Sequence, residues 1–134
     1  MALIARIAVV TPLMLLALAA LAAEPAGTLT LACQGARKTD DANPEPISMS
    51  IIVNFAARIV TGFADEDYPV SITRFDNVYI SFSGSDKSDS WRIEGSIDRV
   101  TGDTVAISMW RNPTTGEVSS LEYTLKCRPT QRTF

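Results

Sequence analysis

The stretch LEYTLKC, Leu121 to Cys127, decides the fold of this 134-residue chain. Its apolar residues alternate with polar ones, which is typical of a β-strand with one buried face. Its last residue is one of only two cysteines, and the other, Cys33, lies 94 positions earlier in LTLACQG. One pair of cysteines in an exported chain predicts one disulfide. The sequence therefore predicts a covalent link between the first strand and the last.

Seven further stretches alternate in the same way, and no long segment has a helical period. They are TLTLAC, PISMSIIVNF, RIVTGF, VSIT, VYISFS, WRIEGSI and TVAISMW. Short links such as Asp76–Asn77 and Thr101–Asp103 separate several of them, as hairpin turns do. The sequence thus predicts an all-β domain, an eight-stranded antiparallel up-and-down meander. The meander is expected to form a small closed or flattened β-barrel, with Cys33–Cys127 joining its first and last strands.

The alternation also predicts which side chains face the barrel interior. On the seventh strand, Val105, Ile107 and Met109 are predicted to point inward, which leaves Trp110 on the outer face. Gly95 is predicted to face inward at a barrel corner. The predicted inward residues are almost all aliphatic or aromatic, so a filled core is favoured over a ligand pocket, and any ligand would be apolar.

The N-terminal segment has the pattern of a secretory signal peptide. Arg6 precedes an apolar run from Ile7 to Leu21, and Ala20-Leu21-Ala22 matches an A-x-A cleavage pattern. We therefore predict a signal peptide over residues 1–23 and a single domain over residues 24–134, periplasmic or secreted. The strands are mostly too short for a transmembrane barrel, so no membrane insertion is expected after cleavage.

Alternate links of a meander emerge at the same end of the barrel. The first, third, fifth and seventh links (QGARKTDDANPEP, FADEDYP, GSDKSDS and NPTTGE) are long and polar, and they hold nine acidic and three basic residues. We call this end the acidic rim and the other end, with its short links, the plain rim. Recognition tends to lie on loops, so the acidic rim is the predicted binding surface. Its candidate residues are Asp40, Asp41, Asp65, Glu66, Asp67, Asp86, Asp89 and Trp110.

Two features of this rim have alternative interpretations. Trp110 is either a platform for a sugar or protein partner, since aromatic residues are favoured at interfaces, or a cover for the barrel rim. The segments ADEDYP and GSDKSDS offer oxygen ligands of the kind that calcium prefers, but their spacing matches no calcium-loop pattern. We therefore predict no metal and no cofactor.

Composition excludes several functional classes. The chain has no histidine, which removes Ser-His-Asp and Cys-His nucleophile systems and the usual zinc sites. Both cysteines are assigned to the disulfide, so no thiol nucleophile remains. Without the signal peptide the chain has 11 basic and 15 acidic residues, and this net charge of −4 argues against a nucleic-acid partner.

We therefore predict an exported, non-catalytic binding or interaction module that acts through the acidic rim on a protein or cationic partner. One alternative is a carrier of a small apolar ligand in the barrel interior. A less favoured alternative is a carboxylate-based hydrolase, because pairs of acids can cleave glycosides but no pair in this sequence is marked as special.

The stretches EPISMSIIVNF, RIVTGF and SWRIEGSIDRVTGD, with the ending YTLKCRPTQRTF, resemble small exported proteins of rhizobia and related bacteria. The likeness covers most of the chain after the signal peptide. The resemblance implies export and a shared fold. No activity is assigned to that group, so the resemblance implies no functional residues.

Overall fold

The computed structural model describes residues 27–64 and 68–130, so the predicted signal peptide lies outside the described residues. The strands are β1 (Thr28–Thr39), β2 (Glu45–Asn54), β3 (Ile59–Thr61), β4 (Val70–Phe75), β5 (Tyr79–Ser85), β6 (Trp91–Asp98), β7 (Asp103–Arg111) and β8 (Val118–Pro129). Each strand pairs antiparallel with its neighbour along the chain, and β8 returns to pair with β1. The predicted eight-stranded closed meander is confirmed.

The disulfide fastens the seam of this barrel. Cys33 on β1 and Cys127 on β8 lie directly opposite each other in the register and are bonded through their sulfur atoms. Both side chains are buried, so the bridge lies inside the barrel. A bridge across 94 residues contributes about 4–5 kcal/mol in the chain-entropy model, because it restricts the unfolded chain.

The barrel interior is filled by one continuous apolar cluster. Its most deeply buried large side chains are Phe82, Ile51, Ile80, Ile93 and Val53. Phe63, from the link after β3, stacks on Phe82 and meets Tyr123 edge to face, with both ring centroids 5.2 Å away. Gly95 faces inward as predicted. A β-carbon at that position would collide with the Phe82 ring, which is why the position needs glycine.

The facing of β7 differs from the prediction. Its buried residues are Thr104 and Ala106, whereas Val105, Ile107 and Met109 are 52%, 45% and 42% exposed. The prediction that these three residues point inward is wrong. Because side chains alternate strictly along a strand, the whole of β7 is turned by one position relative to the expected pattern.

The aromatic filling of the barrel explains this orientation. Ala106 lies directly opposite Gly95, the glycine that makes room for the Phe82 ring. The wall formed by β6 and β7 can therefore hold only small side chains at this level. Ser108 also belongs to the inward set, and its Oγ accepts a hydrogen bond of 2.8 Å from Nε1 of Trp91.

The first link is shorter than predicted. β1 continues to Thr39 and β2 begins at Glu45, so only residues 40–44 join them. Arg37 and Glu45 therefore lie on strands, where their side chains form an ion pair 3.7 Å apart. Within residues 27–64 and 68–130, no helix has the length and apolar character needed to cross a membrane.

Candidate binding rim

The acidic rim is built by links held against neighbouring strands. Its fully described links are residues 40–44, 86–90 and 112–117. The backbone N–H of Asp40 donates to the carbonyl of Ser120 on β8 at 3.0 Å, and the N–H of Arg111 donates to the carbonyl of Ser90 at 2.7 Å. These bonds join the first link to β8 and the fifth link to β7, and so fix both links against neighbouring strands.

The third link, residues 62–69, returns at the same end of the barrel. Its acidic candidates Asp65, Glu66 and Asp67 lie outside the described residues. Tyr68, at the end of this link, packs its ring against Trp91 with the ring centroids 5.2 Å apart.

Asp40 and Asp86 help to build the rim on which they lie. Oδ1 of Asp40 accepts the backbone N–H of Ser120 at 2.7 Å, and Oδ1 of Asp86 accepts the backbone N–H of Trp91 at 3.2 Å. Oδ2 of Asp86 also accepts the hydroxyl of Ser88 at 3.1 Å. Both carboxylates are thus partly engaged in holding their own links.

Asp41 and Asp89 present their carboxylates to solvent. Both residues are exposed, and within the described part of the chain neither forms an ion pair. Asp89 has a φ of 55°, a left-handed conformation that aspartate tolerates better than most residues and that lets the fifth link turn tightly. Of the candidate acids that the structure describes, these two are the best placed to meet a partner.

Aromatic side chains accompany the acids. Trp91 at the start of β6 and Trp110 near the end of β7 are directly opposite each other in the register. Trp110 is 46% exposed and Tyr68 is 39% exposed. Sequence reasoning selected Trp110 but not this grouping, because it depends on the β6–β7 register and on the path of the third link, neither of which alternation specifies.

The predicted outer-face position of Trp110 is wrong. Every second residue of β7 shares a face, so Trp110 belongs to the same line as Ala106 and Ser108, which point inward. Its ring is exposed because the strand reaches the acidic rim at this level, beyond the packed core. Trp110 therefore lies at the mouth of the barrel instead of on its outer wall.

The acids of the plain rim are engaged in turns. Oδ1 of Asp98 accepts the backbone N–H groups of Thr101 at 3.0 Å and Val100 at 2.8 Å, and these bonds hold the pKa of Asp98 below its ordinary value of 3.8. A hydrogen bond from Lys126, with Nζ 3.0 Å from Oδ1, lowers the pKa of Asp103 in the same direction.

Asp76, in the link between β4 and β5, also accepts hydrogen bonds from backbone N–H groups. Its Oδ1 accepts the backbone N–H groups of Tyr79 at 2.7 Å and Val78 at 2.8 Å, which lower the pKa of the carboxyl below 3.8. Arg74 forms an ion pair with its Oδ2 at 2.9 Å. The plain rim thus uses its described acids to fold hairpins.

A groove of about 300 Å³ is lined by Asp89 and Ser90 of the fifth link and by strand residues that include Arg92 and Met109. Two further grooves, of about 410 and 370 Å³, are lined mainly by strand residues. Burial raises the pKa of Tyr123 on β8, and the charge of Arg37, opposite it on β1, acts in the reverse direction. Among the described residues, no three acidic or cysteine side chains converge closely enough to hold a metal ion.

No family model matches this chain, and no characterised protein or solved structure matches it significantly. The resemblance to small exported proteins of rhizobia therefore stays a prediction. The assignment of function rests on the geometry of the rim.

Proposed function

We propose that this protein is a non-catalytic binding module that captures a cationic partner at its acidic rim. One observation carries the proposal: exposed carboxylates on the links and exposed aromatic rings lie at the same end of a closed barrel. Asp41 and Asp89 supply the charges, and Trp110 and Tyr68 supply the rings. Carboxylates attract a cation over a distance, and the face of an aromatic ring binds it at contact.

The barrel suits such a role because it holds the links in place. Hydrogen bonds join the first link to β8 and the fifth link to β7, and the disulfide closes the seam. A surface that is ordered before binding loses less conformational entropy when a partner arrives. The partner that fits this surface is a lysine- or arginine-rich protein segment.

The disulfide supports a role outside the cytoplasm. A buried disulfide is compatible with an oxidising extracellular compartment. We propose that the chain acts in the periplasm or after secretion, where it would meet other exported proteins.

Binding of poly-L-lysine at increasing salt tests the proposal. The double variant Asp41→Asn, Asp89→Asn keeps the shape of both side chains and removes two charges. We expect it to bind about two- to thirtyfold more weakly at low salt, because two exposed ion pairs are lost and each contributes about 0.2–1 kcal/mol. The difference should shrink as salt screens the charges.

The matched control is Glu94→Gln with Glu122→Gln, which removes two charges from the outer wall of the barrel. We expect this control to bind poly-L-lysine nearly as the parent does, when the protein is dilute. Equal weakening in both double variants would mean that net charge alone governs binding, and it would contradict the assignment of the rim.

A further inference from the structure

β7 carries an apolar surface that no other described strand shares. Val105, Ile107 and Met109, here called the β7 stripe, are exposed side by side along its outer face. Each of the other described strands exposes at most one large hydrophobic residue. Three adjacent exposed hydrophobic side chains on an otherwise polar wall are typical of an interaction surface.

The β7 stripe is exposed because other residues of the same strand already fill the inward positions of the core. The inward positions of β7 are held by Thr104, which is completely buried, and by Ala106. The hydroxyl of Thr104 donates to the carbonyl of Gly102 at 3.3 Å. The inward residues are therefore small, the hydroxyl of Thr104 has a hydrogen-bond partner, and the larger residues of β7 are left exposed on the outer face.

Charged residues flank the stripe in an alternating pattern. Ile107 lies between Glu94 on β6 and Glu122 on β8, whereas Met109 lies beside Arg92 on β6. Arg92 and Glu94 both point outward, two residues apart on one strand. The outer wall therefore carries a positive and a negative group at successive levels, next to two apolar groups.

We propose that the β7 stripe is the contact between two copies of this chain, related by a two-fold axis that crosses the strands between Ile107 and Met109. This symmetry places Ile107 of each copy against Met109 of the other. It also places Arg92 of each copy against Glu94 of the other, which forms two equivalent ion pairs. A surface that complements itself in this way is what a two-fold contact requires.

The alternative axis, parallel to β7, is disfavoured by charge. It would place Glu94 of one copy against Glu122 of the other, and it would set the two acidic rims side by side. The crossing axis runs the strands of the two copies in opposite directions, so each acidic rim lies beside a plain rim. Like charges are kept apart, and both acidic rims remain open to solvent.

The area of the proposed contact indicates how tightly two copies associate. Three half-exposed side chains offer a few hundred Å², whereas stable dimers bury about 800 Å² on each partner. We therefore expect a weak, reversible dimer that forms as the protein is concentrated.

Sedimentation equilibrium of the oxidised chain over a concentration series measures this association. We expect Ile107→Glu to weaken dimerisation by about tenfold or more, since it buries a charge in the contact between two other glutamates, Glu94 and Glu122, in each copy. Ile52→Glu is the matched control, because Ile52 is a similarly exposed isoleucine on β2, outside the stripe. A parent chain that stays monomeric at every concentration, or equal effects of the two variants, would overturn the proposal.

A charge exchange tests the symmetry itself. Arg92→Glu and Glu94→Arg should each weaken self-association, because each places like charges opposite each other across the axis. Mixed in equal amounts, the two variants should associate as the parent does, because every facing pair is then opposite in sign. A mixture that remains monomeric would overturn the proposed contact.

Discussion

At the scale of single residues, this chain uses aspartate in two ways. Asp98 and Asp76 accept backbone N–H groups in the hairpins of the plain rim and have a lowered pKa. Asp41 and Asp89 at the acidic rim are exposed and form no ion pair within the described residues. The sequence identifies all four as acids near turns, but only the positions of the neighbouring amides separate the turn-forming acids from the exposed ones.

The turn-forming acids make stability depend on pH. A carboxyl with a lowered pKa stabilises the folded state above the pKa of the unfolded chain, and this contribution is lost as pH falls through the folded value. Asp76, Asp98 and Asp103 all have a pKa below 3.8 when folded. We therefore expect the urea midpoint to be level near neutral pH and to fall as acid is added below about pH 4.

Asp98→Asn tests the origin of this fall. Asparagine keeps an oxygen that accepts the same N–H groups but cannot titrate, so the loss of stability in acid should become shallower. Asp41→Asn is the control and should follow the parent curve. Parallel acid curves for Asp98→Asn and the parent would show that Asp98 does not contribute.

At the scale of elements, alternation predicts the existence, number and order of the strands well, and it fails on the facing of β7. The sequence of β7 allows either face of the strand to be the buried one. One face carries Val105, Ile107 and Met109, and the other carries Thr104 and Ala106. The larger set is the natural choice for a core. In the structure the smaller residues, Thr104 and Ala106, face the core because aromatic rings from β5 and the third link already fill the barrel interior beside β7. The sequence of β7 alone does not show where those rings lie.

Two isoleucines on adjacent strands test this orientation. Ile93 on β6 is completely buried, whereas Ile107 on β7 is half-exposed. We expect Ile93→Thr to lower the free energy of unfolding by about 2–4 kcal/mol, since it removes buried apolar volume and buries a hydroxyl. Ile107→Thr should cost less than about 1 kcal/mol, because threonine suits an exposed strand position.

Urea denaturation of both variants at low protein concentration measures the difference. Threonine is β-branched like isoleucine, so strand propensity is matched between the two sites. Equal costs at the two positions would contradict the outward orientation of β7.

At the scale of the whole molecule, the sequence predicts both that the barrel closes and that its two ends differ. An even number of strands and a cysteine near each end of the meander predict a closed seam, and the lengths of the links predict one elaborated end. The grouping of Tyr68, Trp91 and Trp110 at that end could not be predicted. It depends on the register between β6 and β7 and on the contact between the rings of Tyr68 and Trp91.

The two proposed surfaces adjoin at one groove, which Asp89 of the acidic rim lines together with Arg92 and with Met109 of the β7 stripe. The acidic rim lies at one end, and the β7 stripe lies on the outer wall. In the crossing arrangement of two copies, the acidic rims point in opposite directions, and Asp89 lies beside the contact. Binding of a cation is therefore to be measured on dilute protein, at a concentration at which the chain is monomeric.

The central claim is that the acidic rim receives a cationic partner, and titration of a short oligolysine peptide into the ¹⁵N-labelled protein tests it most directly. Both tryptophans of the chain lie at this rim, so their indole N–H signals report on it. We predict shifts at Asp41, Asp89 and both indoles that saturate with peptide and diminish with salt. Shifts confined to the plain rim or to the β7 stripe, or no shifts at all, would contradict the claim.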